Sequence, residues 1–461
     1  MASGLLHTRS SRFTRKGLVL MLVVALAPVV AIGGHFGGRN GAVGGISVNA
    51  EGVIANVNID ARNALRQTLM KEVKKPVAEL NQPVELRMVS LKGLEAALAD
   101  ARDNNLMQIP DEVKYLAGLQ RVQYILVVPE ENDIVLVGPA EGWKIDEGAN
   151  VVGVTTGRPV LQLDDLMVAL RSTAAARAEG ISCSIDPTAE GRRNLQQFLN
   201  KERRFGPATM TGMQQALGAQ EITLKGVPAD SHYARVLVAA DYHMKRIAMN
   251  LDKSPLASLP GFLDMVVKKN AKIDNLMPRW WLACNYEPLL RSEDGLTWEL
   301  RGQGVKAMTE DEVIGDDGSV RGTGRKGAVA EQWANLMTEK YDELSGKNAI
   351  FGELRNIMDL AVVVALIDKE GLIAKANASF PILTDANSAI TSQKWAVPKK
   401  VATQCSFITR GRGANVEHIV TASGGVQVDS YGVASKVETN NSVAKVRDKA
   451  LARSGKPWWW N

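Results

Sequence analysis

Histidine, cysteine and aromatic residues are scarce in this chain, and each scarcity excludes chemistry. The three cysteines, Cys183, Cys284 and Cys405, are far apart in 461 residues. No C-x-x-C pair exists to anchor a metal site. In an oxidising compartment they can form one disulfide and leave one free thiol. Cys183 alternates with Ile181 and Ile185, and Cys405 with Val401, Thr403 and Phe407, a pattern that favours buried strand thiols. Of five histidines, His7 and His35 fall near the start, leaving His232, His243 and His418. No H-E-x-x-H, no G-x-S-x-G and no Ser-x-x-Lys in a credible setting is present. Basic excess is missing too. Arg9, Arg12, Arg15 and Lys16 account for four of the five net positive charges, and the same stretch holds no acid. Without that stretch the balance is +1, which gives no electrostatic reason to expect nucleic acid.

Long apolar runs are absent but for residues 18–30, which follow the four basic residues and end in Val29-Val30-Ala31. A basic lead, a short apolar core and a small-residue exit make a signal peptide over 1–31. The core falls short of the roughly 20 residues that span a bilayer, so no transmembrane segment is expected in the mature chain. Export to the periplasm, cell envelope or exterior follows. Residues 32–43 read as a Gly-rich linker.

The remainder reads as α+β, with β-hairpins, amphipathic helices, a C-terminal helical hairpin and terminal strands. A large α+β portion is expected over 44–306 and a charged, Gly-rich flexible insertion over 307–327. A helical hairpin with C-terminal strands fills 328–435, and the two portions can share one sheet. A polar tail over 436–461 ends in Trp458-Trp459-Trp460. Residues 122–128 and 134–137 predict a hairpin, as do 279–286 with 296–301. Leu94, Ala97, Leu98 and Ala101 predict one helix face, and Leu163, Leu166, Met167 and Leu170 another. Trp333, Leu336, Met337, Lys340, Tyr341 and Leu344 predict a third. Asp186 and Asp230 are expected to cap helices. The phrase Gly44–Val53, with Asn49 three residues before Gly52, returns as Gly424–Val433 and more briefly at 367–373. Such phrases fit hairpins with shared turn chemistry, or a duplicated unit whose copies sit side by side.

Two sets of residues carry candidate function. His232 and His243 lie eleven apart on one predicted helix, separated by roughly 16 Å, too far to share a metal ion. No metal and no cofactor is expected. Asp230 and Asp241 are the carboxylates nearest in sequence, so Asp230, His232, Asp241 and His243 are the catalytic candidates for a hydrolase assembled in space. Gly322-Thr323-Gly324-Arg325-Lys326-Gly327 is a literal G-x-G-x-x-G, but no buried strand delivers it, which argues against nucleotide binding. Tryptophans form the second set. Trp280 and Trp281 must face opposite sides of a strand, so one of them can meet a partner or lie under another layer. With Arg279, Trp298 and the tail residues Trp458, Trp459 and Trp460 they are the binding candidates. An aromatic and charged surface suits a polysaccharide or another envelope protein, and self-association is open. A non-catalytic binding or structural module is therefore the leading reading, with the periplasmic hydrolase as the alternative.

Several segments are familiar in combination. They are Leu116-Ala117-Gly118-Leu119-Gln120, Val137-Gly138-Pro139-Ala140-Glu141-Gly142-Trp143, Ile185-Asp186-Pro187-Thr188, Gly226-Val227-Pro228-Ala229-Asp230-Ser231-His232, Pro278-Arg279-Trp280-Trp281 and Ser423-Gly424-Gly425-Val426-Gln427-Val428-Asp429. Over residues 44–430 the chain resembles a family of exported planctomycetal proteins carrying a domain of unknown function. The resemblance implies an exported bacterial protein and brings no catalytic residues. The Gly-rich insertion and the tryptophan tail are not parts of that pattern.

Overall fold

Period-two alternation of apolar and polar residues builds the first sheet. In strand Ile181–Pro187 the odd positions are buried and Ser182, Ser184 and Asp186 are not. In strand Arg279–Asn285, Trp280 and Leu282 point inward, Arg279 and Trp281 outward. The computed structural model describes residues 43–104, 109–202, 207–271, 277–314, 320–409, 416–451 and 458–461. The expected signal peptide and nearly all of the linker lie outside them. Among the described residues eight strands form this sheet. Their order is Ile46–Val48, Val53–Asn56, Lys400–Ala402, Ala219–Lys225, Ile181–Pro187, Ser423–Val428, Arg279–Asn285 and Gly304–Glu310. Most neighbours are antiparallel. The pairs of Lys400–Ala402 with Val53–Asn56 and of Arg279–Asn285 with Ser423–Val428 are parallel.

A second sheet has seven strands among the described residues. The order is Val437–Thr439, Leu289–Arg291, Thr297–Glu299, Tyr124–Val128, Asp133–Ala140, Val84–Ser90 and Trp459–Trp460. The hairpin predicted over 122–137 is its centre, with Tyr124–Val128 antiparallel to Asp133–Ala140. With mixed sheets and helices interspersed, the fold is α+β, and the described residues form one compact unit.

Helix His232–Ala248 packs on strands Ile181–Pro187 and Ser423–Val428, and helix Ala349–Lys369 packs on it in turn. Both are buried nearly all round, so they are sandwiched rather than laid on a surface. Each buried Leu, Val or Ile in them is worth about 1.5–3 kcal/mol of transfer free energy, which is where the stability of this layer resides. No described helix is long and apolar enough to cross a membrane.

Several local expectations are corrected. Strand Arg279–Asn285 does not pair with 296–301. It pairs with Gly304–Glu310, while Thr297–Glu299 turns back on Leu289–Arg291 in the other sheet. The turn Ser292–Gly295, closed by Ser292 and by Gly295 at φ 67°, makes that shorter hairpin. Asp186 stays in its strand and Thr188 caps helix Ala189–Lys201, its hydroxyl accepting from Gly191 N. Ser231, not Asp230, caps helix His232–Ala248. The face from Trp333 to Leu344 is split, because the helix ends at Glu339 and restarts at Tyr341. The repeated phrase forms a hairpin once. Asn49 Oδ1 accepts from Glu51 N and Val53 N, and Gly52 takes φ 82°. In the later copy Asp429 caps helix Ser430–Ala434, and residues 367–369 end a helix. In the sheet, strands Ile46–Val48 and Ser423–Val428 are not neighbours, so the copies are not side by side. The G-x-G-x-x-G starts at the last residue of strand Val320–Gly322, which among the described residues pairs with Glu312–Ile314 in a two-stranded ribbon.

Candidate functional site

Helix His232–Ala248 lies on one face of the large sheet, and two clefts among the described residues lie on the other. Strand alternation decides what stands on it. Ser182, Ser184 and Asp186 come from one strand, Glu221, Thr223 and Lys225 from the next, and Arg279 and Trp281 from a third, none of them buried. Register aligns them. Trp281 lies beside Gly425, Gly425 beside Ser184, and Ser184 beside Thr223. Asp186 lies opposite Glu221.

Two clefts adjoin here. One, of about 400 Å³, is lined by Ser184, Asp186, Thr188, Arg192, Glu221, Thr223, Arg279 and Ser423, among others. The other, of about 540 Å³, is lined by Glu179, Ser182, Ser184, Arg279, Trp281, Glu310, Gln427 and Asp429, among others. Sharing Ser184 and Arg279, they form one groove across the central strands. Arg279 Nη1 stands 3.8 Å from Asp186 Oδ1, which also accepts from Gly424 N at 3.3 Å. Ser423 is 1 % exposed, and its Oγ has no partner among the described residues.

Of the expected binding set, the structure brings only Arg279 and Trp281 to this groove. Trp280 is fully buried between Phe262 and Trp333, at ring distances of 5.1 and 5.2 Å. Trp298 is fully buried in the other sheet, donating to Gly295 O at 3.2 Å, with Arg291 over its ring. Trp458, Trp459 and Trp460 lie along strand Val84–Ser90, with Trp459–Trp460 as the edge of that sheet. Ser90 N donates to Trp458 O at 2.8 Å, and Arg87 stands over Trp459 while donating to Asn461 Oδ1 at 2.8 Å.

The four histidine-helix candidates are dispersed over different partners. His232 Nδ1 is 3.0 Å from both oxygens of Asp165, and its Nε2 is 3.4 Å from Gln162 Nε2. Burial disfavours its charge, but the Asp165 carboxylate more than offsets that and holds the ring up to about 9. His243 Nδ1 is 3.2 Å from Asp252 Oδ2. The sequence-adjacent carboxylates go elsewhere. Asp230 pairs with Lys394 at 2.8 Å, and buried Asp241 with Lys245 at 2.7 Å. Burial pushes Asp241 up to about 6, with Lys245 pulling the other way. His232 is 7 % exposed, and neither histidine lines either cleft. Among the described residues no three His, Cys, Asp or Glu side chains converge in a way that could hold a metal ion.

The cysteines are free, with Cys183 and Cys405 buried and Cys284 half-buried. Burial pushes Cys183 well up, Cys284 to about 12 and Cys405 to about 11. Thiols so raised are inert at neutral pH.

Sequence reasoning missed the polar lining. Ser182, Ser184 and Asp186 were legible as the other phase of the alternation that buries Cys183. Ser423 and Glu310 reach the groove only through long-range register.

A domain of unknown function, DUF1598, is found at residues 183–262. The matched stretch holds Ser184, Asp186, Thr188, Arg192, Glu221 and Thr223 of the groove, and also helix His232–Ala248. No curated protein and no solved structure matches the chain.

Proposed function

We propose that this chain is an exported, non-catalytic binding protein of the envelope or exterior, akin to the planctomycetal proteins its segments resemble, whose grooved sheet face holds a macromolecule. The observation that carries this reading is the groove itself. A half-exposed indole stands beside a guanidinium, carboxylates and hydroxyls on a rigid sheet. Flat aromatics with hydrogen-bonding neighbours suit sugar rings, and a sheet positions them more firmly than loops.

The test is co-sedimentation of the mature protein with insoluble envelope polysaccharide. Trp281→Ala should weaken retention about tenfold, the scale of a central aromatic anchor. Undiminished retention in a Trp281→Ala, Arg279→Ala double variant would refute the groove. Mass measurement of the native protein should place its first residue just after Ala31. Metal analysis of the same sample bears on catalysis, since a stoichiometric metal would overturn the non-catalytic reading. The hydrolase alternative rests on Asp165–His232, an imidazole oriented by a carboxylate and, held up to about 9, placed to act as a general acid at neutral pH. His232→Ala should leave binding intact under the leading reading and abolish turnover under the other.

A further inference from the structure

We propose that the groove selects a polysaccharide bearing free, protonated amino groups; this rests on the groove being the binding site. Three observations point to amino sugars.

The first is charge. Five carboxylates line the two clefts, Asp186, Glu221, Glu179, Glu310 and Asp429, against two guanidiniums. Without the basic lead the chain is close to neutral, at +1, so this face is more acidic than the rest of the mature chain. Asp186 stands 3.8 Å from one of those guanidiniums, Arg279. Glu310 accepts from Gly324 N and Asp429 from Gly432 N, bonds that leave a net negative charge in place.

The second is the place of the groove in the sheet. It crosses central strands whose N–H and C=O groups are spent on ladder bonds. An extended peptide binds a sheet by adding to an edge, where its own backbone is satisfied. Over the middle of a sheet a ligand is met by side chains alone. A sugar, with a hydroxyl on most of its carbons, fits that condition.

The third is Ser423. Its hydroxyl is nine-tenths and more buried, lines the smaller cleft and has no partner among the described residues. A buried hydroxyl left unpaired costs free energy unless a ligand supplies the bond. Arg279 is its register neighbour, and in the adjoining cleft Trp281 supplies an indole for the apolar side of a sugar, a ring that also attracts a nearby ammonium.

The experiment is calorimetric titration of the full mature chain with short oligomers of glucosamine, N-acetylglucosamine and glucose, and with oligolysine. Glucosamine oligomers should bind about tenfold or more tighter than the other two sugars, with the gap closing near 1 M salt. Glu310→Gln and Glu221→Gln lie on exposed or half-exposed positions that leave the fold intact. Each should weaken glucosamine binding about threefold and narrow its margin over the neutral oligomers by that factor. Equal binding of all three sugars, still weakened by Trp281→Ala, would overturn the amino-group assignment and leave the groove standing. Oligolysine binding as tightly as glucosamine would overturn the sugar assignment. Absence of binding to every sugar overturns the inference; if envelope retention is also insensitive to Trp281→Ala, the groove reading falls with it.

Discussion

At Trp280 the indole meets Phe262 and Trp333 edge-on with no solvent contact, so truncation there opens a cavity inside the helix-covered side of the sheet. Trp280→Ala should cost about 3–5 kcal/mol. Trp281→Ala, one residue on and facing the groove, should cost under about 1 kcal/mol while weakening ligand binding. Denaturant melts of both variants check the contrast, and equal losses would contradict the assigned faces. Glu353 carries a pH argument. It is buried near His232 and Asp165, and burial pushes its carboxyl up to about 7 from an ordinary 4.5, the charge of His232 partly opposing. The folded state therefore holds a proton that the unfolded chain releases, and stability is lost as pH rises from about 4.5 to about 7. His232, held up to about 9 from 6.5, loses its contribution in the next window, from about 6.5 to about 9. Asp164, pushed by burial to about 6 from 3.8, adds a loss that overlaps the lower window. Glu353→Gln keeps the shape without the charge. It should flatten the profile between pH 4.5 and 7 and exceed wild type above pH 7 by about 1–3 kcal/mol. Melts across pH measure this, and an unchanged slope in the variant would contradict it.

Elements were legible where their own period decided them and illegible where a distant partner did. Helix Leu91–Asp103 buries Leu94, Leu98 and Ala101 on the expected stripe, and the hairpin of Tyr124–Val128 with Asp133–Ala140 declares itself by short apolar runs about a turn. Strand Arg279–Asn285 looked like half of a hairpin because both candidate strands are local. Its real neighbours, Gly304–Glu310 and Ser423–Val428, are chosen by packing of Trp280 and Leu282 under the helices. The same limit applied to the site. Arg279 and Trp281 could be read from one strand, whereas Ser423, Glu310 and Asp429 enter through pairings that no local spacing encodes. The tryptophan tail is a further case. It docks as edge strand Trp459–Trp460, and Gly93 makes the docking possible, since a Cβ there would lie 2.1 Å from Trp458 Cβ. Gly93→Ala pits two effects against each other. Helix propensity alone would stabilise by about 0.5–1 kcal/mol, but the clash is with packed tail atoms. Expulsion of the tail should win. Hydrogen exchange should then speed up at Ser90, whose N–H is held by Trp458 O, while Val135 keeps its protection. Slower exchange at Ser90 would mean that propensity wins and the tail adapts.

On the scale of the whole molecule, the decisive fact is that neither sheet is made from a continuous stretch of chain. Strands Lys400–Ala402 and Ser423–Val428 insert among strands drawn from residues 46–310, and strand Val437–Thr439 edges a sheet otherwise built largely from residues 84–299. The buried helix Ala349–Lys369 couples them through one side chain. Asp359, fully buried, receives Arg121 Nε at 3.1 Å and Nη2 at 3.2 Å, and Tyr286 Oη donates to it at 2.7 Å. Arg121 leads into strand Tyr124–Val128 of one sheet, and Tyr286 follows strand Arg279–Asn285 of the other. A carboxylate so placed is satisfied only when both sheets are seated on the helix. Replacing it by an amide takes from Arg121 its main counter-charge, leaving the weaker pull of Asp342, in a mostly dry site, a loss of about 3–5 kcal/mol for a buried pair broken on one side. If the sheets unfolded separately, Asp359→Asn would shift only the transition of the less stable one. If they unfold as one, exchange protection at Val127 in one sheet and Val426 in the other should fall by the same amount, with a single denaturation midpoint. Interleaved strands and a shared buried acid favour the second outcome. Two separated midpoints, or a loss confined to Val127, would show that the sheets are held independently despite their interleaving.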